Sequence, residues 1–297
     1  MSGFGFLVRA NMTKKNTTPF FVVGTQRSGT TLLCRMLSAH PNLFTINEIG
    51  GIQQILPSVK NGSEAYDIID RHFESKKHAK IQEVLNREGK VRWGLKEPAL
   101  TYCLEEIKSY FPESKIIFIV RDGRAVANSY LQVKWGVANI YAAGERWKRE
   151  IEIQRMFWEA NPDICWHLKY EDLLANPAKE LESISSFLNE VYSPLMLAYN
   201  KKPEKIIKLK SANENAFRQI DRNIETKWKK ELSEFQVRVF ESIAGEQLKE
   251  FGYPLVNESY TVPPLLKLWW MGHQKVVGEM QVQYQWRIKP LLSQFMH

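Results

Sequence analysis

The sequence predicts an α/β fold, a parallel β-sheet flanked by helices, with a helical appendage at its C-terminal end. Three stretches carry that expectation. Phe20-Phe-Val-Val23 is an apolar run that ends in Gly24 and a polar loop, after which Leu32, Leu33, Met36 and Leu37 recur at helical spacing. Lys115-Ile-Ile-Phe-Ile-Val120 shows no alternation, which indicates a strand buried on both faces and therefore parallel neighbours. Val91-Arg-Trp-Gly-Leu-Lys-Glu-Pro98 reads as another buried strand with a charged end. Strands that run through short loops into helices are the grammar of a parallel sheet.

Taken in order, residues 1–18 read as a flexible lead-in, 19–256 as the α/β domain and 257–297 as a C-terminal helical extension. The first strand leads through Gly24-Thr-Gln-Arg-Ser-Gly29 into a helix from about Thr30 to Ala39, which His40-Pro41 ends. Such a turn gathers backbone N–H groups and the positive end of a helix dipole at one point, an arrangement that binds phosphate. The spacing Gly24-x4-Gly29-Thr30-Thr31 nearly reproduces the G-x4-G-K-[ST] loop of triphosphate binders. Thr30 stands where that loop has its lysine, and the nearest cation is Arg27 inside the loop. The expected ligand is thus a 5′-phosphate-like group and not Mg-ATP; the bland alternative is an ordinary strand–turn–helix.

Asn42 to Gly51 reads as a short extended piece running into a loop that contains Glu48. From Gly51 to Glu88, short helices (Gln53–Leu56, Glu64–Phe73, Ala79–Asn86) are expected to pack over the site. A helix from about Leu100 to Tyr110 precedes the Lys115–Val120 strand, and Arg121-Asp-Gly-Arg-Ala-Val-Ala-Asn-Ser129 opens the next helix. Trp135 to Ala160 is a long helical segment whose aromatics are mostly core. Asn176-Pro177 starts a helix to about Asn189, and Glu234 to Phe251 is amphipathic and ends at Gly252-Tyr-Pro254.

The 297 residues are 44% hydrophobic and 25% charged, as befits a globular chain with a full core. The net charge is +8, of which the stretch from Tyr199 to Lys230 supplies +6, ten basic residues against four acids. An anionic ligand or surface is implied. No nucleic-acid motif accompanies the run, so nucleic acid is not the expected partner. Cys34, Cys103 and Cys165 lie in apolar contexts without metal spacing, and their odd number argues against a disulfide framework. They point to a reduced, cytoplasmic protein, as does the lack of a signal-like or 18-residue apolar stretch. Pro263 to His297 is rich in Trp, Leu and Met with a net charge of +3. Peripheral membrane contact, a homo-oligomer interface and packing on its own domain all fit it.

Two signatures then point to one family. Arg27-Ser-Gly-Thr-Thr31 with Ala39-His40-Pro41, and the R-D-G-R-x-x-x-x-S pattern of Arg121 to Ser129, resemble the sulfotransferases that use 3′-phosphoadenosine 5′-phosphosulfate, a P-loop-type fold. The pattern is nearest to bacterial and protein-tyrosine sulfotransferase-like members, since cytosolic small-phenol enzymes usually carry lysine where Arg27 stands. The resemblance spans about Phe20 to Pro254. It implies that Arg27, Ser28, Gly29, Thr30 and Thr31 hold the 5′-phosphosulfate and that Arg121 and Ser129 hold the 3′-phosphate. It further implies roles for Lys96 as the cation that offsets charge on the transferring group and for Glu48 as the general base, 21 residues after Arg27. Tyr170 in Tyr170-Glu-Asp-Leu, Arg218, and Lys227 before Trp228 are implied as further donor contacts. The chain departs from the family at Asn47-Glu48, where two acids are usual, at Val133, where the tyrosine branch has arginine, and in lacking R-K-G-x-x-G within 212–221.

The expected activity is sulfuryl transfer from that donor, without a metal, to a hydroxyl or amine of a small-molecule acceptor such as a natural product. The alternatives are a peptide tyrosine as acceptor, a P-loop nucleotide kinase, and a non-catalytic protein that binds RNA or membranes through its basic run and tail.

Overall fold

Five strands pair all-parallel in the order β2-β3-β1-β4-β5. They are β1 (Phe20–Val23), β2 (Leu43–Asn47), β3 (Arg92–Lys96), β4 (Lys115–Val120) and β5 (Cys165–Lys169). This computed structural model describes residues 18–133, 136–200, 226–256 and 260–288. Trp135, Arg218, the expected contacts within 212–222 and the chain beyond 288 lie outside the described residues. The described chain forms two compact units, Met1–Val120 with Ile153–Asp221, and Arg121–Glu152 with Arg222–His297.

The first unit holds the whole sheet and the helices α1 (Thr30–Ser38), α2 (Gly62–Lys77), α3 (Ile81–Glu88), α4 (Leu104–Tyr110), α7 (Tyr170–Ala175) and α8 (Pro177–Phe187); α5 (Gly123–Val133) belongs to the second unit, and α6 spans Ile140–Ala160. Successive residues of β1 face opposite ways. Phe20 and Val22 join Ile117, Ile119 and Leu168 on one face, against Leu33, Met36 and Leu37 of α1 and Leu181 and Ile184 of α8. Phe21 points the other way, 5.5 Å from the ring of Phe111 and 6.3 Å from Trp93. Burying each such side chain contributes about 1.5–3 kcal/mol, so the unalternating strands are explained by two apolar faces. Gly94 in β3 is required by close packing: a Cβ there would come within 2.4 Å of the Phe20 ring.

The piece expected to be merely extended after α1 is a full edge strand, with Leu43 to Asn47 paired to Arg92 to Lys96. The expected helix from Leu100 is shorter and begins at Leu104, because Pro98–Tyr102 forms a separate 3₁₀ turn. Pro98 occupies the first position of that turn and the Glu97 carboxylate accepts from the Ala99 N–H, while Cys103, at φ −144°, breaks it from α4.

In the second unit, α9 (Trp228–Glu231) and α10 (Glu234–Glu250) accompany α5. Gly123 allows close packing here, since a Cβ would lie 2.6 Å from both Phe240 and Trp147. A last helix begins as α11 (Pro264–His273), passes through a π-helical stretch at Gln274–Gly278, continues as α12 (Glu279–Gln283) and ends in a second π stretch at Tyr284–Ile288. Its residue Trp270 is buried and stacks on Tyr141 with ring centres 5.9 Å apart. Among the described residues no helix is long and apolar enough to cross a membrane.

Candidate active site

The carboxyl ends of β1 and β4 lie side by side in the sheet, and the chain leaves them toward opposite edges, β1 for β2 and β4 for β5. In open α/β sheets ligands bind at such a switch point. The loop after β1 is drawn tight against β4, for a Cβ on Gly24 would come within 2.5 Å of the Ile119 carbonyl oxygen. Ser28 folds back on the loop, donating from its hydroxyl and its N–H to the Thr25 carbonyl at 2.6 and 3.0 Å. Arg27 and Gly29 both have left-handed backbones, at φ 75° and 97°. A non-glycine residue held there is strained, a state that persists only where surroundings enforce it.

Gly29 is the N-cap of α1, and among the described residues no side chain caps that helix or places an acid in its first turn. Thr30 and Thr31 thus open a nine-residue helix whose N–H groups and dipole are free to take an anion. The Thr25 hydroxyl is fully buried in the same loop and, among the described residues, has no hydrogen-bond partner. Tyr170, at the start of α7, packs its ring directly over Gly29, where a Cβ would lie 2.2 Å from the ring.

Lys96, the last residue of β3, is wholly buried. Its ammonium donates to the Thr31 hydroxyl at 3.3 Å and forms an ion pair with the Glu48 carboxylate. Burying an unpaired ammonium costs several kcal/mol, so Glu48 is needed to hold the charge there. Glu48 follows β2 in a left-handed conformation (φ 47°), with Gly50 and Gly51 also left-handed, and its N–H donates to the Lys96 carbonyl at 2.9 Å. Half of its side chain stays open to solvent. A cation, a hydroxyl and a solvent-facing carboxylate therefore meet at one place. Lys76 of α2 braces the turn from outside by donating to the carbonyls of Glu48 and Ile49.

Sequence reasoning passed over Glu97. Its carboxylate is almost fully buried beneath the turn and accepts from the N–H groups of Gly50 at 3.2 Å and Ala99 at 3.3 Å. Burial, and then the neighbouring Glu48 charge, push its pKa up. Its neighbour Lys96 in a Lys-Glu-Pro end of a buried strand was the only sequence signal for it.

In the second unit, Arg121 is largely buried directly after β4, and Ser129 lies on α5 half-buried. The other arginine of that stretch, Arg124, has a structural task. It grips Asp122 through Nε at 3.0 Å and Nη2 at 2.8 Å, Glu241 at 2.6 Å and the Pro254 carbonyl at 2.9 Å, and lies 4.2 Å from the centre of the Trp228 ring. Burial opposes its charge, yet the hydrogen bonds and charges of Asp122 and Glu241 outweigh it and raise its pKa. Lys227 is half exposed and pairs with Glu231 at 3.2 Å, and Glu231 also accepts from Asn128 and Gln132.

Residues 19–194 match the family described as the sulfotransferase family. A putative protein-tyrosine sulfotransferase of Caenorhabditis briggsae is 31% identical over 198 residues, which cover 61% of this chain and 69% of that protein. Protein-tyrosine sulfotransferase 1 of Danio rerio is 29% identical over 197 residues, covering 61% of this chain and only 56% of that protein. The solved sulfotransferase domain from the Synechococcus PCC 7002 olefin synthase has a TM-score of 0.56 at 19% identity, covering 84% of this chain and 97% of that domain. At that identity the likeness speaks for the fold alone.

Proposed function

Because the chain belongs to the sulfotransferase family through residues 19–194, we propose that it transfers a sulfuryl group from 3′-phosphoadenosine 5′-phosphosulfate to a tyrosine hydroxyl of a peptide. The observation that carries the chemistry is the buried Lys96 ammonium paired with the half-exposed Glu48 carboxylate beside Thr31. The peptide acceptor replaces the small molecule expected from the sequence, because both curated relatives described above bear the name protein-tyrosine sulfotransferase.

The residues fit the donor. Within the first unit, the open first turn of α1, Arg27 and the Thr25 hydroxyl, which has no partner among the described residues, suit a 5′-phosphosulfate. Within the second unit taken by itself, the largely buried Arg121 and the Ser129 hydroxyl suit a phosphate of the 3′ kind. Tyr170, through its ring over Gly29, keeps the loop in shape, and Lys227, paired with Glu231 here, is the further cation we assign to the donor. When bound, the donor supplies the sulfuryl group, with the bisphosphate as leaving group. Lys96 holds positive charge where negative charge develops on the departing oxygen. Glu48 takes the proton from the attacking tyrosine oxygen, and its exposure gives an acceptor access to it. Lys96 in turn fixes that carboxylate in direction through their ion pair.

The test is incubation with the donor and a panel of acidic tyrosine peptides and phenolic small molecules, with products read by mass spectrometry. Sulfated peptide supports the reading. Turnover of small phenols alone overturns the acceptor, and no turnover together with hydrolysis of Mg-ATP would favour the nucleotide-kinase alternative.

A further inference from the structure

The last helix carries a second apolar face that, among the described residues, nothing in its own unit covers. Trp270, Gln274, Gly278 and Val282, four residues apart, form the inward face: Trp270 stacks on Tyr141, Gln274 bonds to both the Ala138 N–H and the Gly136 carbonyl, and a Cβ on Gly136 would meet Val282 at 2.7 Å. A second four-residue series, Leu268, Gly272, Val276, Met280, Tyr284 and Ile288, falls between them and is exposed along its length, as are Leu265 and Trp269. In an uninterrupted α-helix a four-residue repeat drifts around the axis, because a turn holds 3.6 residues. The two π-helical stretches, at Gln274–Gly278 and Tyr284–Ile288, hold more residues per turn and cancel that drift. Both series therefore keep their sides of the helix, one inward and one outward.

Charge selects the occupant of the outward side. From Pro263 to His297 the chain carries Lys267, Lys275, Arg287 and Lys289 against Glu279 alone, a net +3. Lys275 and Arg287 are exposed. Two copies facing each other would bring like charges together, whereas an anionic lipid surface would complement them. Trp269 and Tyr284 on the outward side are the side chains that settle at the boundary between headgroups and acyl chains. We propose that this helix lies flat on an anionic membrane surface, with the Leu268–Ile288 series in the acyl boundary and Lys275 and Arg287 at the headgroups. The proposal stands apart from the transfer reaction and from Glu48.

The test is co-sedimentation of the full chain with phosphatidylcholine vesicles, with and without phosphatidylserine. Binding that requires phosphatidylserine and weakens with salt is expected. The double variant Lys275→Gln/Arg287→Gln should bind roughly thirtyfold more weakly, two basic contacts being removed. Leu268→Gln/Met280→Gln should abolish binding while leaving the thermal transition in place, because both side chains are exposed. Absence of binding to either vesicle overturns the proposal. So does a dimer in lipid-free sedimentation velocity that Leu268→Gln/Met280→Gln dissociates.

Discussion

Lys96 and Glu48 form an ion pair of unequal burial, the lysine side chain wholly enclosed and half of the carboxylate side chain exposed. The cation is fixed by the end of β3, and the anion faces solvent. Glu48→Gln preserves an oxygen for Lys96 to bind but cannot take a proton. It should lower kcat by about 10²- to 10⁴-fold with little change in affinity for the spent bisphosphate, as initial rates and calorimetry together will show.

Arg121→Ala should weaken binding of 3′-phosphoadenosine 5′-phosphate by about ten- to a hundredfold, the loss of hydrogen bonds to a charged group. Calorimetric titration beside Mg-ATP checks it. Equal affinity of wild type and variant would remove Arg121 from the donor site.

Gly29→Ala should destabilise the first unit through two separable terms. The left-handed backbone at φ 97° costs an alanine about 1–2 kcal/mol, and the clash with the Tyr170 ring adds about 1–3 kcal/mol. Tyr170→Ala removes only the second term. Denaturation of both single variants and the double variant should therefore show favourable coupling between the two substitutions.

Arg124→Met should cost about 3–5 kcal/mol, because it leaves Asp122 and Glu241 buried without their cation. Urea denaturation measures it. A loss below about 1 kcal/mol would mean that water reaches both carboxylates.

Glu97 gives stability a pH dependence of definite sign. Its folded pKa is raised, first by burial and then by Glu48. Between the ordinary glutamate value and that raised value, the folded protein holds a proton that the unfolded chain has released. Its contribution to stability is therefore full below the ordinary value and is lost as pH rises through the raised one. Denaturation midpoints from mildly acidic to neutral pH should fall with pH at this group, and Glu97→Gln should flatten the slope.

The strands and the loop were legible because their signals are local: unbroken apolar runs and a fixed spacing of Gly24, Gly29 and two threonines. What escaped was set by residues distant in sequence. The Glu97 carboxylate matters because Gly50, far upstream, turns its N–H toward it. Arg124 stands in the R-D-G-R pattern with no role that the sequence assigns, and distant Glu241 and Pro254 claim its side chain. Lys96 and Glu48 were each singled out, but not their pairing, which depends on β2 and β3 being neighbours in the sheet. The four-residue repeat of the last helix was invisible because a 3.6-residue wheel smears it; the π-helical stretches restore it.

Both units are discontinuous, the chain leaving the first at Val120 and returning at Ile153. During synthesis the sheet's last strand, β5, and the helices α7 and α8 thus emerge only after Arg121 to Glu152, whose own partners from Trp228 onward are not yet made. Asp122 and Arg124 must wait, unshielded by Glu241 and Trp228, until residues 228–254 have left the ribosome. A message cut short before α9 would yield all five strands together with an arginine-bearing helix that lacks Trp228 and Glu241, a ready client for chaperones and proteases.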